Sequence, residues 1–282
     1  MRANLWAELP SPIKTAFRTA FHHFAQETYR RTGCILRAYI PAGMGAQMQK
    51  EDYLLHMPEE ELPDCYISMA FGECSMPAFH KRFLDTGVYE QPKVLCWFPE
   101  LMVIDLRSLK DNPIPSSFEE LADPVYHGEL CLIGSQGKPD PLLPLFLYAK
   151  QGKSGVKRVL DNVKTVAGPS VTIRHIGRAG NHYGSIFLMP SLFADICRKC
   201  PDTMVFCPST GALAEPILIF WRQDAPRKER TLMAQFLKEN ECSAIMKATK
   251  FPSANHACGD DILIDEWCME KKLYPERYSI HD

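Results

Sequence analysis

One short stretch of the sequence gathers several side chains that could hold a ligand. Residues 177–184 read GRAGNHYG, and they place Arg178, His182 and Tyr183 close together between glycines. Arg178 could hold a carboxylate or a phosphate through two parallel hydrogen bonds. His182 and Tyr183 could donate hydrogen bonds or ligate a metal. The same composition is also typical of a solvated loop in which the asparagine caps a helix.

Cysteine is the second chemical signal. The chain has 11 cysteines, and Cys197 and Cys200 form a C-x-x-C motif with Cys207 seven residues further on. This spacing can bind zinc or an iron–sulfur cluster, or exchange disulfides. A structural zinc site needs four ligands, and no second C-x-x-C completes the set. The sequence therefore favours unligated thiols, and it predicts no metal and no cofactor.

The distribution of the cysteines also bears on the compartment. They are odd in number and scattered, and several lie in apolar runs such as VLCWF and ELCLIG, where a thiol behaves as a small hydrophobe. The first 17 residues contain no apolar core and no cleavage site of a signal peptide. The sequence therefore predicts a cytoplasmic protein. The alternative is a periplasmic or extracellular protein whose chain was trimmed.

Bulk composition excludes several classes of protein. The chain has 282 residues, 46% of them hydrophobic and 23% charged, with a formal net charge of −2. These values indicate a globular protein of one or two domains and give no reason to expect nucleic acid as a partner. No apolar run reaches the roughly 20 residues that span a bilayer, so no membrane insertion is expected. The sequence contains no G-x-S-x-G, P-loop, Rossmann glycine fingerprint or H-E-x-x-H motif.

The hydrophobic pattern predicts strands that alternate with helices, which is typical of an α/β fold. The predicted strands cover residues 4–9, 64–70, 100–106, 128–134, 170–176, 184–190, 202–208 and 213–222, and a further strand begins at Cys34 and ends before the loop with Pro41. The predicted helices cover residues 12–31, 76–85, 141–151, 153–163 and 191–199, with a further helix that starts near residue 224. Ser116 and Glu119 have the spacing of a capping box.

Two segments, near residues 86–99 and 205–212, resemble linkers. They predict two lobes joined by two chain crossings. The first lobe takes both ends of the chain, residues 1–95 and 209–282, and the second takes residues 96–208. Ligands of open α/β sheets bind beyond the carboxyl ends of the strands, so the ligand is expected in the cleft between the lobes.

Several motifs together resemble the substrate-binding proteins of ABC transporters. They are FHKRFLDTGVYEQ at 79–91, VIDLRSLKDNPIPSSFEELADPVYHGELCL at 103–132, GSIFLMPSLFADI at 184–196 and STGALAEPILIF at 209–220. The closest branch is the type II periplasmic-binding-protein fold that includes iron binders. The resemblance implies a two-lobed α/β fold with mixed sheets flanked by helices. It also places Gly211 at the return crossing, where a permissive backbone can absorb hinge rotation.

In this resemblance the ligand is held by loops at strand ends. The implied ligand-binding residues are Ala42, Gly43, Met44, Gly45, Met69, Phe71, Glu73, Ser135, Gln136, Arg178, His182, Tyr183 and Met189. The loop at 41–46 offers backbone N–H groups to a polar ligand, although a plain turn would have the same sequence. A single acid such as Glu73 could bind an amine or a metal, and it could equally be solvated.

The iron-binding relatives usually carry adjacent tyrosines near the segment that here reads Leu188-Met189-Pro190, and this chain has no tyrosine pair there. The sequence therefore favours an organic ligand, an oxyanion or a metal complex over a bare ferric ion. The predicted function is capture of a small solute for ABC-type uptake, with a permease as partner, or a carrier or sensor role. The alternative is an enzyme that uses cysteine or metal chemistry on the same fold.

Overall fold

A computed structural model describes residues 3–41, 54–69, 80–135, 137–208, 211–238 and 240–248. The chain divides into two compact units. Unit 1 comprises Met1–Trp97 and Pro216–Asp282, and unit 2 comprises Phe98–Glu215. The interpretation of these units as two lobes that close on a ligand stays a prediction.

Strands and helices alternate along much of the described chain. The strands are β1 (Leu5–Ala7), β2 (Ala38–Tyr39), β3 (Cys65–Met69), β4 (Lys93–Asp105), β5 (Leu130–Ser135), β6 (Lys138–Pro139), β7 (Val163–Ala167), β8 (Ile186–Pro190), β9 (Thr203–Phe206) and β10 (Leu213–Trp221). The α-helices are α1 (Ser11–Thr32), α2 (Leu106–Leu109), α3 (Leu142–Asn162), α4 (Pro169–Thr172), α5 (Ser191–Cys197), α6 (Arg227–Lys238) and α7 (Asn240–Ala248). Short 3₁₀ turns occupy Glu59–Glu61, Glu119–Ala122 and Pro124–Tyr126, and a π-helical turn occupies His80–Leu84.

Parallel and antiparallel pairs coexist, which confirms the prediction of a mixed sheet. Among the described residues the strand order is β2-β1-β3-β10-β4-β8-β5-β6, with β7 beside β5 and β9 beside β4. The strands therefore belong to one hydrogen-bonded series, whereas the sequence predicted separate sheets. The long strands β4 and β10 cause this difference, because each contributes residues to both units.

Unit 1 contains a group of parallel strands and the long helix α1, which packs against α6. Strands β2 and β3 both run parallel to β1, and β10 runs antiparallel to β3. On α1, Phe17, Phe21 and Phe24 recur at helical spacing and place their rings 5.2–5.3 Å from the ring of Phe236 on α6. Helix α1 ends at Gly33, whose φ of 67° allows the left-handed cap. The predicted helix and its end are confirmed.

Unit 2 is built around three parallel strands. Strand β8 runs parallel to β5, and β5 runs parallel to β7. Strand β4 runs antiparallel to both β8 and β9. The core packs Val103 of β4 with Cys131, Phe187 and Ala194. Helix α3 covers this unit and breaks at Gly152, where φ is 65°, so the two helices predicted at 141–151 and 153–163 are confirmed as its two halves.

The second half of the segment 86–99, which resembles a linker in sequence, is part of a regular strand, and its role as a crossing between lobes stays a prediction. Residues from Lys93 onward belong to β4, a strand of 13 residues. Cys96, Trp97 and Phe98 in this segment are all buried. Burial of three consecutive apolar side chains favours a strand covered on both faces over a solvated linker.

The predicted strand at 170–176 is also wrong. Pro169 starts the short helix α4, with Gly168 at its N-cap position, and the segment continues as turns. Proline at a first helical position presets the helical φ, and this local preference decides the structure. The sheet position next to β5 is taken instead by β7.

The capping box lies one residue later than predicted. The carboxylate of Glu120, not Glu119, accepts hydrogen bonds from the backbone N–H and the hydroxyl of Ser116. The N–H of Glu120 in turn donates to the Ser117 hydroxyl at 3.3 Å. The element that follows is a 3₁₀ turn.

Candidate functional site

The carboxyl ends of the parallel strands define one edge of the unit 2 sheet. Strands β5, β7 and β8 end there at Ser135, Ala167 and Pro190. Because β4 runs antiparallel to β8, Glu100 lies opposite Pro190 at this same edge. Ligands of α/β sheets bind at such carboxyl edges, so a ligand-binding site is expected at this edge.

The polar loop 177–184 lies at the opposite edge of unit 2. It follows the turns after α4 and leads into the start of β8. Asp105, at the far end of β4, anchors the loop through one carboxylate oxygen. That oxygen accepts hydrogen bonds from the N–H of Gly177 at 2.8 Å and from the side-chain amide of Asn181 at 2.7 Å. Its other oxygen caps α2 by accepting hydrogen bonds from the backbone N–H groups of Arg107 and Ser108.

The loop presents a small aromatic and basic surface. His182 packs its ring 4.3 Å from Tyr183 and 5.5 Å from His175, measured between ring centroids. Arg178 and His182 are exposed, and Tyr183 is half-buried. His182 and Tyr183 are therefore in contact, and both lie with Arg178 in a loop at the amino-terminal edge of the strands. Their role in ligand binding stays a prediction.

The predicted ligand residues of unit 2 consequently fall into two groups. Ser135 ends β5 at the carboxyl edge, whereas Arg178, His182 and Tyr183 stand beyond the start of β8. Strand β8 spans the two edges, and its four residue steps correspond to about 13 Å. One small ligand cannot contact both groups within unit 2.

Met189 does not offer a ligand-binding surface. Its side chain is 0% exposed and packs in the core of unit 2 with Phe187 and Cys131. Strand β8 is buried along its whole length, so its side chains serve packing.

Seven of the predicted ligand residues lie outside the described residues. They are Ala42, Gly43, Met44, Gly45, Phe71, Glu73 and Gln136. In unit 1 the strands that lead towards them, β2 and β3, both run parallel to β1. Tyr39 and Met69 therefore end their strands at one shared edge, as the ligand prediction requires.

A pocket opens at the carboxyl edge of unit 2. Its empty space is about 190 Å³ when the open solvent at its mouth is included, and it is lined by Glu100, Leu132, Ile133, Asp140, Leu143 and Leu188. The N–H of Asp140 donates to the carbonyl of Ile133 at 2.7 Å, which fixes the turn after β6 against β5. The pocket thus combines apolar walls with two carboxylates.

The carboxylate of Glu100 is in an unfavourable environment for a charge. The residue is 7% exposed. Burial, and after it the nearby carboxylates of Asp140 and Glu215, raise the pKa of Glu100 well above its ordinary value. No basic side chain in the described ranges forms an ion pair with it. A cationic group in the pocket would relieve this repulsion.

One further polar atom lies beside this edge. Ser191 follows Pro190, the residue paired with Glu100, and its hydroxyl oxygen is buried without a hydrogen-bond partner in the described part of the chain. Buried hydroxyls are normally satisfied, so an unpaired one marks a position where a ligand atom or a water could bind. Among the described residues no group of three His, Cys, Asp or Glu side chains could hold a metal ion by itself.

The sequence analysis did not identify the acids at these edges. In unit 2 they are Glu100 and Asp140, and in unit 1 a third acid, Glu8, directly follows β1 and is 3% exposed. A signal was available for Glu100, because a single acid interrupts the apolar run WFPELMVI. Acids within a buried strand are rare and mark functional positions more often than surface acids do.

The comparison with protein families decides the classification. Residues 60–268 match the family described as bacterial extracellular solute-binding protein. The chain belongs to this family of solute-binding proteins. Among curated proteins no relative was found.

Solved structures with the same fold cover nearly the whole chain. A Bordetella ferric binding protein shares 12% identity at a TM-score of 0.64, over 99% of this chain and 98% of that one. A Trichodesmium protein (IdiA, FutA), in complex with iron and citrate, shares 12% identity at a TM-score of 0.67, over 99% and 97%. AfuA from Actinobacillus pleuropneumoniae, with fructose-6-phosphate bound, shares 12% identity at a TM-score of 0.58, over 93% and 88%.

These similarities establish the periplasmic-binding-protein fold for this solute-binding protein. At 12% identity they say nothing about its ligand. In the described ranges, no helix combines the length and the apolar character that crossing a membrane requires.

Proposed function

We propose that this solute-binding protein captures a small ligand with a cationic group, either an organic cation or a metal complex, for ABC-type uptake. The observation that supports this proposal is the buried Glu100 beside Asp140 in the carboxyl-edge pocket of unit 2. Capture in a cleft between two closing lobes remains the sequence-based part of the proposal.

The electrostatics of the pocket favour a cation over an oxyanion. Burial raises the pKa of Glu100, and the nearby carboxylates of Asp140 and Glu215 raise it further. An anionic ligand would add a further negative charge to this group, whereas an ammonium or a metal ion would offset it. Carboxylate oxygens are also suitable ligands for hard metal cations.

The names of structural relatives are consistent with a metal complex. The Trichodesmium protein is described with iron and citrate, and the Bordetella protein as a ferric binding protein. The present chain reads Leu188-Met189-Pro190 at the end of β8 and has no adjacent tyrosines there. We therefore favour a complexed metal or an organic cation over a ferric ion held by two phenolates.

Calorimetry on the full chain would test this proposal. The probes are ferric citrate, the diamine putrescine and fructose-6-phosphate, and the variants are Glu100→Gln and Asp140→Asn. We expect one of the first two probes to bind, and both variants to weaken that binding by about tenfold or more, since each removes a charge partner of the cation.

The matched control is Glu60→Gln, because Glu60 is an exposed acid in a 3₁₀ turn. The Glu60→Gln variant should bind the same probe with the same affinity as the unmodified chain. The proposal is wrong if fructose-6-phosphate is the only probe that binds, or if Glu100→Gln and Asp140→Asn bind like Glu60→Gln.

Location outside the cytoplasmic membrane and a permease partner are part of the proposal. The description of the family as extracellular supports this location, and it favours the alternative over the cytoplasmic protein that the sequence predicts. Cell fractionation with an antibody, and co-purification of a permease from solubilised membranes, would test the two points separately.

The cysteines described by the structure do not support the enzymatic alternative. Burial, together with the neighbouring Cys200, raises the pKa of the Cys197 thiol to about 11. Burial raises the pKa of Cys131 to about 12. A nucleophilic cysteine needs a lowered pKa, so these thiols are protonated and unreactive near neutral pH.

A further inference from the structure

Three sulfur-bearing side chains come together inside unit 1. Cys96 comes from β4, and Cys242 and Met246 come from α7, where they stand four residues apart on one helix face. The Sγ atom of Cys96 lies 3.7 Å from the Sδ atom of Met246. We refer to these three residues as the sulfur cluster.

The sulfur cluster is shielded from solvent. Cys96 is 0% exposed, Cys242 1% and Met246 5%. Burial raises the pKa of the Cys96 thiol, and the proximity of Cys242 raises it further. The two thiols are therefore near neighbours, although they come from elements about 150 residues apart in the chain.

We propose that the sulfur cluster binds one Cu(I) ion. Thiolate and thioether sulfurs are the soft ligands that Cu(I) prefers. Metal–sulfur bonds of about 2.3 Å place two sulfurs of one tetrahedral or trigonal site about 3.8–4.0 Å apart. The distance of 3.7 Å between Cys96 and Met246 is close to this spacing without any rearrangement.

The chemistry of loading is simple. Copper forms bonds to Sγ of Cys96, Sγ of Cys242 and Sδ of Met246, the two thiol protons pass to solvent, and the oxidation state of the metal does not change. Structural Zn(II) is normally held by four ligands, whereas the sulfur cluster offers two thiolates and one thioether, a set that suits Cu(I). This proposal is independent of the solute that the protein carries.

The competing explanation is ordinary packing, in which cysteine and methionine simply fill apolar space. A copper competition experiment separates the two. The full chain is titrated with Cu(I) without oxygen, in the presence of bicinchoninate as competitor. Because Cys200 is partly accessible and Cys207 is exposed, every protein carries Cys200→Ser and Cys207→Ser, and this double variant is the reference.

Four variants are compared with that reference. Cys96→Ala and Cys242→Ala should each lose one equivalent of tightly bound copper, and Met246→Leu should weaken its binding at least tenfold. The matched control is Cys65→Ala, because Cys65 is a fully buried thiol of the same unit that is not part of the sulfur cluster. It should bind as much copper as the reference.

Thermal unfolding gives a second measurement of copper binding, which is needed if a cysteine variant fails to fold. Exchange of methionine for leucine nearly preserves volume, so Met246→Leu should fold. Bound Cu(I) should raise the Tm of the reference and of Cys65→Ala. It should raise the Tm of Met246→Leu much less. The proposal is overturned if Met246→Leu matches the reference in both copper affinity and Tm shift.

Discussion

At the scale of single residues, the buried acid of the pocket has consequences for the stability of the fold. Glu100 pairs along β4 with β8 and cannot move to solvent without breaking strand contacts. Its pKa is raised by burial first and by Asp140 and Glu215 second. The folded protein therefore holds a proton on Glu100 in a pH range where the unfolded chain has released it.

Because the pKa of Glu100 is raised in the folded state, its contribution to the stability of the fold decreases as the pH rises. The contribution of Glu100 to stability is most favourable below its ordinary pKa of 4.5, and it declines as the pH rises from there through the raised folded value. Glu100→Gln removes this dependence. We expect the variant to have a higher Tm than the unmodified chain at pH 8 and a smaller advantage at pH 4.5.

Thermal unfolding followed by circular dichroism between pH 4.5 and pH 8 measures this prediction. Glu60→Gln again serves as control and should follow the unmodified chain at every pH. An unchanged pH profile in Glu100→Gln would mean that the acid is not protonated in the fold.

The candidate site shows what the sequence can and cannot predict about residues. The contact between His182 and Tyr183 was predictable, because the two residues are also neighbours in sequence. Their place at the amino-terminal edge was not, because it depends on the direction of β8 relative to β5. The pairing of Glu100 with Asp140 was equally hidden, since strand register brings the two together across 40 residues.

At the scale of elements, the loop 177–184 is fixed by backbone requirements as well as by Asp105. Gly184 has a φ of 140°, and an added Cβ would lie 2.5 Å from the carbonyl oxygen of Glu129. Gly180 also has a positive φ, 83°, but an added Cβ would meet no atom within 4 Å. Both glycines therefore have a positive φ, but only Gly180 has room for an added Cβ atom.

We predict that Gly184→Ala lowers the free energy of unfolding by about 2–4 kcal/mol, because both strain and a backbone clash oppose the new methyl group. Gly180→Ala should cost only about 1–2 kcal/mol, the price of a left-handed conformation alone. Urea unfolding, analysed with one m-value for both variants, measures the free energy of unfolding of Gly184→Ala and of Gly180→Ala. Equal destabilisation of both variants would contradict the assigned close contact at Gly184.

Local signals explain which elements were predicted correctly. Helix α1 follows from its phenylalanine spacing and the glycine after it, and the break of α3 follows from Gly152. The strand predicted at 170–176 was wrong because Pro169 imposes a helical start that the apolar pattern alone does not reveal. The strand at residues 93–99 was missed because Lys93 and Pro99, at the two ends of this segment, are typical of a linker, although Cys96 and Trp97 between them are buried.

At the scale of the whole molecule, β4 and β10 each supply residues to both units. A unit that lost either strand would also lose part of its sheet. We therefore expect the two units to unfold together in denaturant.

Thiol labelling can test this cooperativity residue by residue. Buried thiols are available in unit 1 at Cys65 and Cys96, and in unit 2 at Cys131 and Cys197. Pulse labelling with iodoacetamide, read by peptide mass spectrometry, should give one urea midpoint for all four, whereas the exposed Cys207 should react without urea. Separate midpoints for the two pairs would show that the units unfold independently.

The strand order has a consequence for the order in which the protein is made. Unit 2 is one uninterrupted segment, whereas the sheet of unit 1 places β10 between β3 and β4. Ribosomes add about 5–20 residues per second, so the edge of β3 waits roughly 7–30 s between the synthesis of Met69 and that of its partner Ile217. A nascent chain with such an open apolar edge is a natural client for ribosome-associated chaperones.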